Sequence, residues 1–315
     1  MSGLPPADRV TLAIPIYNEE EVLPELLERC GKVLDATPGG PHEIVLVDDG
    51  SSDASAAILH RAAERDPRIV VVELSRNFGH QAAISAAIVH ASGDVVLVMD
   101  GDLQDPPEAL PQFLEQYAAG YEVVYARRVA RKESWWLRAS YYLFYRLIAS
   151  LSDIRLPLDS GDFALLSRRV VDELRRSPES HRYLRGLRTW VGFRQIGLEV
   201  ERHRRAAGES KYSPLKLLGL ALNGIFAFST VPLRAATILG FLAILVAGGY
   251  TFYALFARIF LDQAPEGFTG LISTVFFLAG VQLVFLGVLG EYIGRIYEEV
   301  KRRPQFIVRR LTRHS

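Results

Sequence analysis

The 315-residue chain is poor in sulfur, with one cysteine, Cys30, and two methionines. A lone cysteine excludes a disulfide framework and is typical of a reducing compartment. The first ten residues, MSGLPPADRV, contain no apolar core of the kind that signal peptides have, so we expect no signal peptide. Two glycine motifs are also missing. No Gly-x-Gly-x-x-Gly follows the first apolar run and no Gly-Lys-Ser/Thr occurs, which argues against an NAD-type site and a P-loop.

The chain has no net charge, but its charges are unevenly distributed. Residues 1–125 carry 7 Lys/Arg against 21 Asp/Glu, whereas residues 167–216 carry 13 against 6. Residues 295–315 carry 7 against 2. The acidic N-terminal part and the basic later parts of the chain predict a cation site early in the chain and an anionic partner later. Nothing in this pattern indicates a nucleic-acid partner, and we expect none.

Two runs without any charged residue, 235–257 and 267–290, are each long enough to cross a bilayer as a helix. A pair of buried core helices is the competing interpretation, which two runs of this length disfavour. The connecting loop is net acidic, while Arg234 precedes the pair and basic residues follow it from Arg295. The positive flanks predict a two-helix hairpin with both ends in the cytosol, and therefore a multi-pass protein of the inner (plasma) membrane.

A third apolar stretch, residues 217–233, contains Asn223 and Pro232. We expect it to lie along the membrane as an interfacial segment, although three spans remain an alternative that would put the basic tail outside. The Gly-x-x-x-Gly of residues 290–294 is a weak indication of a homo-oligomer. The expected divisions are a cytosolic domain at 1–211, an interfacial segment at 212–233, two transmembrane helices within 234–294, and a basic cytosolic tail at 295–315.

The first 130 residues alternate between predicted strands and helices. Apolar runs predict strands at 10–16, 44–48, 69–74, 95–99 and 121–126. Amphipathic patterns between them predict helices at 19–35, 53–65, 78–91 and 106–119. Expected helix starts include Asn18, Ser51/Ser52 and Asp105. This alternation predicts an α/β fold with a mostly parallel sheet, in which ligands bind at the carboxyl ends of strands.

Polar residues cluster where three of these strands end, in PIYNEE, VDDGSSD and MDGDLQD. Asp48 and Asp49 could accept hydrogen bonds from a nucleoside, or they could only form a turn, and the sequence favours neither. In the third cluster, Gly101 and the following prolines do not fit an EF-hand, and capping explains Asp105 but not Asp102. A hard cation such as Mg²⁺ or Mn²⁺, completed by phosphate and water, is the favoured interpretation.

The segments IPIYNEEE, LVDDGSSD, LSRNFGHQAAISAAI, MDGDLQDPPE and DSGDFALLSRRVVDEL, in this order, resemble the inverting GT-A glycosyltransferases. The resemblance is to the branch that loads a sugar onto a polyprenyl phosphate, which includes dolichyl-phosphate mannose synthases and bactoprenol glucosyltransferases. RHRRAAGESKYSPLKLL at 202–218 and the hairpin extend it over nearly the whole chain. It implies a GT-A, Rossmann-like catalytic domain.

The resemblance also implies roles for individual residues. The metal ligands would be Asp100, Asp102 and Gln104, with Asp100 also on the nucleotide sugar. The nucleotide-sugar residues would be Pro15, Tyr17, Glu19, Asp48 and Asp49. Asp159 and Asp162 match the acceptor-side acidic motif and are candidate catalytic residues. The residues expected near phosphates are Arg127, Arg128, Arg202, Arg205, Ser210 and Lys211. Any single arginine in so basic a stretch could instead face solvent or lipid headgroups.

The function implied is transfer of a hexose from a nucleotide diphosphate sugar, first of all UDP-glucose, to undecaprenyl or another polyprenyl phosphate, with inversion. The acceptor is mostly a dianion at neutral pH, so Asp159 and Asp162 are expected to position it or to restrain an arginine rather than to act as a base. Three alternatives are another donor (N-acetylhexosamine, mannose or aminoarabinose type), a non-lipid acceptor, and a sugar-nucleotide sensor. A processive synthase is disfavoured, because too few spans are predicted.

Overall fold

The structure is a computed structural model, and the residues that it describes are 4–128, 160–177, 179, 184–200, 231–260 and 267–314. The chain divides into two compact units. The first, which we call the sheet unit, comprises Met1–Ala149, Ile154–Ser213 and Arg303–Ser315. The second, the hairpin unit, comprises Ser150–Asp153 and Pro214–Arg302. Each unit is described separately below.

The sheet unit contains one sheet of eight strands in the order β7-β5-β6-β4-β1-β2-β3-β8. The strands are β1 Val10–Ile16, β2 Glu43–Asp48, β3 Ile69–Leu74, β4 Val95–Val98, β5 Val123–Arg128, β6 Ser160–Ser167, β7 Gln195–Val200 and β8 Val308–Thr312. The β1–β2, β1–β4, β2–β3 and β5–β7 ladders are parallel, and the other three are antiparallel. The predicted α/β class with a mostly parallel sheet is confirmed.

The four central strands are buried along nearly their whole length. Their apolar residues point alternately into two hydrophobic clusters, so that Leu12 and Ile14 pack on one face while Ala13 packs on the other. A strand that is covered on both faces must be apolar at every position, which is why these segments appear in the sequence as continuous runs. The predicted bounds of these strands agree with the structure to within about a residue.

Helices cover both faces of this sheet. They are α1 Leu23–Ala36, α2 Ser55–Arg65, α3 His80–His90, α4 Leu110–Ala118, α5 Arg168–Arg176 and α6 Leu184–Trp190, with a 3-10 turn at Pro107–Ala109. Helix α1 illustrates the pattern, because Leu23, Leu26, Cys30 and Leu34 recur at three- and four-residue spacing and are all buried. Helix α3 is different, since its buried residues run consecutively from Ala83 to Ile88 and it lies deep in the unit.

Two of the predicted helix starts are wrong. Helix α1 begins at Leu23, and Asn18 instead has φ +54° and accepts a hydrogen bond from the Ser52 backbone N–H at 2.8 Å. The chain after Asp105 forms the 3-10 turn, where no side-chain hydrogen bond caps the N-terminus. Asn18 therefore holds a loop at the strand ends rather than capping a helix.

The chain beyond Arg302 departs from the expected tail. Helix α8, Phe268–Lys301, takes up the start of residues 295–315, and β8 then pairs antiparallel with β3 in the sheet unit. Further contacts hold this segment, because the Ser75 N–H donates to Ile307 O at 2.9 Å and Arg313 Nη2 donates to His90 O at 2.6 Å. Strand β8 therefore forms an edge of the sheet, although it is basic.

The hairpin unit has two long helices, α7 Val231–Phe260 and α8. Each contains a segment long and apolar enough to cross a membrane, Ala235–Tyr253 and Phe277–Lys301. Apolar side chains such as Phe252 and Phe277 are more than 70% exposed, at 74% and 71%, which is unfavourable in water over such a length. Most of the expected interfacial segment, residues 217–230, lies outside the described residues.

Candidate active site

The site lies at the carboxyl ends of β1, β2 and β4, which are adjacent in the sheet. A cavity of about 370 Å³ opens there. Six of the residues predicted for the site line it, namely Pro15, Tyr17, Glu19, Asp49, Asp100 and Asp102. Each of these residues lies at the end of a buried strand or in the loop that follows it. The packing of the strands in the core therefore fixes the positions of these groups.

The loop that carries Tyr17 and Glu19 is held by the segment that follows β2. The Asn18 N–H donates to Ser51 Oγ at 3.0 Å, and the Glu19 N–H donates to Ser55 Oγ at 3.0 Å. The Glu20 carboxylate returns a bond, accepting from the Ala54 N–H at 2.8 Å. The serines after β2 thus restrain the loop after β1, which keeps Tyr17 half-exposed at the cavity wall.

Asp48 makes a turn, whereas Asp49 holds the loop before α3. Asp48 accepts a hydrogen bond from the Ser51 N–H at 3.1 Å. Asp49 accepts from the Phe78 N–H at 2.7 Å and the Gly79 N–H at 2.9 Å, although it also lines the cavity. Burial raises the pKa of both carboxyl groups. The structure therefore gives Asp48 the role in a turn, while Asp49 faces the cavity and the nucleoside role of both residues stays a prediction.

Gly101 is required by the close approach of the β4 loop to β1. A Cβ at this position would lie 2.6 Å from Ile16 Cδ1 and 3.1 Å from Pro15 O. Beyond it, Asp102 Oδ1 accepts a hydrogen bond from the Gln104 N–H at 3.1 Å, and Leu103 adopts φ +56°. This turn places Asp100 and Asp102 at the cavity, whereas Gln104 is not among the described residues that line it.

A histidine that the sequence patterns did not predict lies at the centre of the site. His80 lines the cavity, and its Nε2 lies 3.4 Å from Asp100 Oδ1 and 3.7 Å from Asp162 Oδ2. Asp162, on β6, is also paired with Arg185, whose Nε donates to Oδ1 at 2.9 Å. Neither His80 nor Arg185 follows the first, second or fourth strand, whose ends supplied the predicted site residues. The polar stretch SRNFGHQ, which follows the third strand, is the sequence feature that could have indicated His80.

The carboxylates of the site strongly influence one another. Burial, together with the nearby carboxylates, raises the pKa of Asp100 to about 6, against an opposing effect of His80. Burial would also raise the pKa of Asp162, but hydrogen bonds from His80 and Arg185 and their charges hold it well below its usual range. Asp162 is therefore ionised and ion-paired, whereas Asp100 would gain from a cation at the cavity.

The residues at the cavity fit a divalent cation that is partly coordinated by substrate. No group of three or more His, Cys, Asp or Glu side chains with the geometry of a metal site occurs among the described residues. Mg²⁺, however, commonly takes one or two carboxylates and completes its shell with phosphate oxygens and water. Asp100 and Asp102 match that smaller set, and burial, which raises the pKa of Asp100, makes a nearby positive charge favourable.

The residues expected near phosphates are only partly described. Arg127 lies on β5, exposed, and forms an ion pair with Glu199. Arg128 ends the same strand. The remaining predicted residues lie outside the described part of the chain, namely Asp159, Arg202, Arg205, Ser210 and Lys211. Asp162 does restrain a neighbouring arginine, as one of the two expected roles requires, and that arginine is Arg185.

The mostly parallel sheet, with two carboxylates beside a cavity at its carboxyl edge, agrees with the GT-A fold that the resemblance implies. The chain belongs to glycosyl transferase family 2, whose profile matches residues 11–175. A second profile, the GtrB C-terminal hairpin, matches residues 231–296. The predicted resemblance to polyprenyl-phosphate glycosyltransferases is confirmed at the level of these families.

Relatives align over nearly the full length of the chain. An uncharacterized glycosyltransferase of Bacillus subtilis, YkcC, is 43% identical over 95% of this chain and 93% of its own. The prophage bactoprenol glucosyl transferase homolog of Escherichia coli is 37% identical over 96% and 99%. The undecaprenyl-phosphate 4-deoxy-4-formamido-L-arabinose transferase of Sodalis glossinidius is 37% identical over 96% and 93%.

Proposed function

We propose that this glycosyltransferase moves a hexose from a nucleotide diphosphate sugar, with UDP-glucose as the first candidate, to undecaprenyl or another polyprenyl phosphate. The product would be a polyprenyl-phosphate sugar for modification of cell-envelope glycans. The observation that carries the proposal is the placement of Asp100 and Asp102 beside one cavity at the carboxyl edge of the sheet. The hairpin family match and the bactoprenol relatives support a lipid acceptor.

On the donor side, Pro15, Tyr17 and Glu19 would contact the base and ribose along the wall of the cavity. Asp100 and Asp102 would hold Mg²⁺ or Mn²⁺, which offsets the negative charge that develops on the diphosphate leaving group. Asp49 would act indirectly, because its carboxylate fixes the backbone at Phe78 and Gly79 next to His80. The donor pocket is thus shaped by buried carboxylates whose backbone partners cannot move independently.

On the acceptor side, the nucleophile is a phosphate oxygen whose second pKa is about 6, so it needs little deprotonation at neutral pH. Asp162 is a poor base, because its ion pairs hold its pKa low. It would instead orient positive charge toward the incoming phosphate. Attack on the anomeric carbon from the side opposite the diphosphate inverts its configuration, so an α-linked donor would give a β-linked product.

The donor experiment compares a panel of radiolabelled nucleotide sugars with undecaprenyl phosphate and the full-length protein. We expect label in the lipid phase with UDP-glucose, and none with Asp102→Asn. The Sodalis relative, whose name gives a formamido-arabinose, favours including pentose donors alongside N-acetylhexosamines and mannose. No lipid-phase label with any donor would refute the lipid acceptor, and equal turnover without undecaprenyl phosphate would favour a non-lipid acceptor.

We further propose that the sheet unit and the chain end both face the cytosol. Strand β8 lies in the same sheet as β3, which supports an even number of membrane crossings between residues 213 and 303. Helices α7 and α8 supply two crossings if both span. The basic residues after Arg295 and the cytosolic supply of nucleotide sugars favour the cytosolic side. Residues 212–233 would then lie at the interface.

Cysteine labelling on intact cells tests this topology. Single cysteines at Gln263 and Ser315 are introduced in a Cys30→Ser background and exposed to a membrane-impermeant thiol reagent. We expect labelling at 263 and not at 315, since the loop between the helices would face outward. The reverse pattern would mean an odd number of crossings, which disagrees with the pairing of β8 in the sheet, and would refute the proposed arrangement.

A further inference from the structure

One histidine links the two halves of the candidate site. His80 begins α3, and its Nε2 lies between Asp100 at the end of β4 and Asp162 on β6, at 3.4 Å and 3.7 Å. Asp100 belongs to the donor side, and Asp162 to the motif expected on the acceptor side. Because β4 and β6 are adjacent antiparallel strands, the two carboxylates lie at the same place in the sheet.

The next residue anchors the same junction. Gln81 Nε2 donates to Asp162 Oδ2 at 3.4 Å, and its Oε1 accepts from the Leu184 N–H, at the start of α6, at 3.1 Å. The preceding turn is fixed by Asp49 through the Phe78 and Gly79 N–H groups. The start of α3 is therefore tied to β2, β6 and α6, so that His80 has a rigid base.

Arg185 completes the arrangement from α6. Its Nε donates to Asp162 Oδ1 at 2.9 Å and its Nη2 to Asp162 Oδ2 at 3.3 Å. This two-point pairing sets the plane of the guanidinium group, and the side chain remains about one-third exposed at 31%.

We propose that Arg185, oriented by Asp162, binds the phosphate of the acceptor, and that His80 is a positioning residue that fixes this pair relative to Asp100. The inference rests on the proposed function and adds an acceptor residue to it. The diphosphate of a bound donor would repel the phosphate of the acceptor. A positive charge between these two groups would offset that repulsion and allow the acceptor to approach. A guanidinium suits that task, because its five N–H donors allow it to pair with a carboxylate along one edge and to donate to phosphate oxygens from another.

Binding measurements test Arg185 without requiring turnover. Purified full-length protein is titrated with geranyl phosphate and, separately, with UDP and Mn²⁺. Arg185→Ala should weaken geranyl phosphate binding at least about tenfold, since hydrogen bonds to charged groups are the strong ones, and change UDP affinity less than about twofold. Arg176→Ala is the matched control, because Arg176 forms an exposed pair with Glu173 at 2.7 Å away from the cavity.

Unchanged geranyl phosphate binding in Arg185→Ala, or a loss confined to UDP, would overturn the assignment. If the alanine variant is unfolded, Arg185→Lys decides the same question, because it keeps the charge but loses the planar two-point pairing. A folded Arg185→Lys that binds geranyl phosphate as the wild type does would also overturn it.

Steady-state kinetics test His80. We expect His80→Ala to lower kcat at least about tenfold with a donor KM changed less than about threefold, and His80→Gln, which keeps an N–H donor, to retain more of the rate. His60→Ala is the control, since His60 lies 3.3 Å from Glu73 outside the cavity. A kcat equal to that of His60→Ala would refute the positioning role. If wild-type protein transfers no sugar to lipid, the proposed function fails, while the binding titrations still decide Arg185.

Discussion

Removal of β8 is the sharpest test of how the sheet unit is completed. A chain that ends at Arg303 keeps both long helices and loses residues 304–315. Four residue pairs join β8 to β3, from Val71–Thr312 to Leu74–Val308, and the Ser75 N–H bonds to Ile307 O at 2.9 Å. At about 1 kcal/mol net for each of about four backbone hydrogen bonds, the loss is about 4 kcal/mol.

That loss is a large fraction of the free energy of unfolding of a typical domain, about 5–15 kcal/mol. For a unit of this size we expect the melting temperature to fall by about 8–16 °C. The truncation also exposes β3, IVVVEL, as an apolar edge strand, so we expect aggregation on heating. Melting is followed by tryptophan fluorescence of the full-length and shortened proteins in the same detergent.

Arg309→Ala is the matched control for this truncation. Arg309 lies on β8, with its side chain 69% exposed and its Nη1 3.4 Å from Glu73 Oε1. Exposed ion pairs contribute about 1 kcal/mol or less, so its melting temperature should stay within about 4 °C of the wild type. A truncated protein that melts within that same interval would show that β8 adds little, and would remove the structural basis for the even number of membrane crossings.

Four further predictions concern the site and the core. Asp102→Asn should keep the fold and lower turnover, measured as UDP release, at least about 10²-fold. EDTA should abolish the turnover of the wild-type protein. Near-normal activity in either test would contradict the assignment of the metal site. The pKa of Asp100 is about 6, so binding of UDP with Mn²⁺ should weaken as the pH falls through that value. An affinity that does not change between pH 5 and pH 8, which lie about one unit or more on either side of that pKa, would count against this prediction. Gly50→Ala should lower stability by at least about 2 kcal/mol in thermal unfolding, since Gly50 has φ +68° and a Cβ there would lie 2.7 Å from the backbone of Arg76. Burial raises the pKa of the Cys30 thiol to about 12, so Ellman's reagent at about pH 8 should react only after unfolding.

The central half of the sheet could be predicted because its physical signal is local. Strands β1 to β4 are buried on both faces, so each appears as a continuous apolar run that ends in polar residues. Adjacent parallel strands share a carboxyl edge, and this rule alone predicts that Asp49 and Asp100 lie at the same edge. Pro15 and Tyr17, whose roles the family resemblance implied, line the same cavity.

Three of the outer strands, β6, β7 and β8, were missed because what stabilises them is distant in the chain. Strand β8, VRRLT, is mostly exposed and has little apolar pattern of its own, and its partner β3 lies more than 200 residues earlier. Strand β6, SGDFALLS, was noted only as a motif. A sequence pattern reports burial of its own residues, and it cannot report which edge of a sheet remains open for a later segment.

The role of an individual carboxylate was equally beyond the sequence. Asp48 and Asp49 stand side by side after one strand, yet one bonds to the Ser51 N–H and the other to the backbone before α3. The hydrogen bonds of Asp49 depend on the loop after β3, which is distant from Asp49 in the chain although β2 and β3 are adjacent in the sheet. The same adjacency of strands brings His80 to the site, so its place there can be assigned only when the strand order is known.

The strand order also bears on how the sheet unit would reach the proposed lipid acceptor. Strands β7 and β8 are the two edge strands of the sheet, and the hairpin unit lies between them in the chain. Parts of the sheet unit precede and follow the hairpin unit in the chain, and the truncation removes the part that follows. The carboxylates of the site lie on or directly after β2, β4 and β6, which are inner strands of the sheet. We therefore expect the truncation that removes β8 to raise the KM for undecaprenyl phosphate more than the KM for the nucleotide sugar, even at temperatures where the shortened protein is folded. Equal effects on the two KM values would mean that β8 contributes only stability.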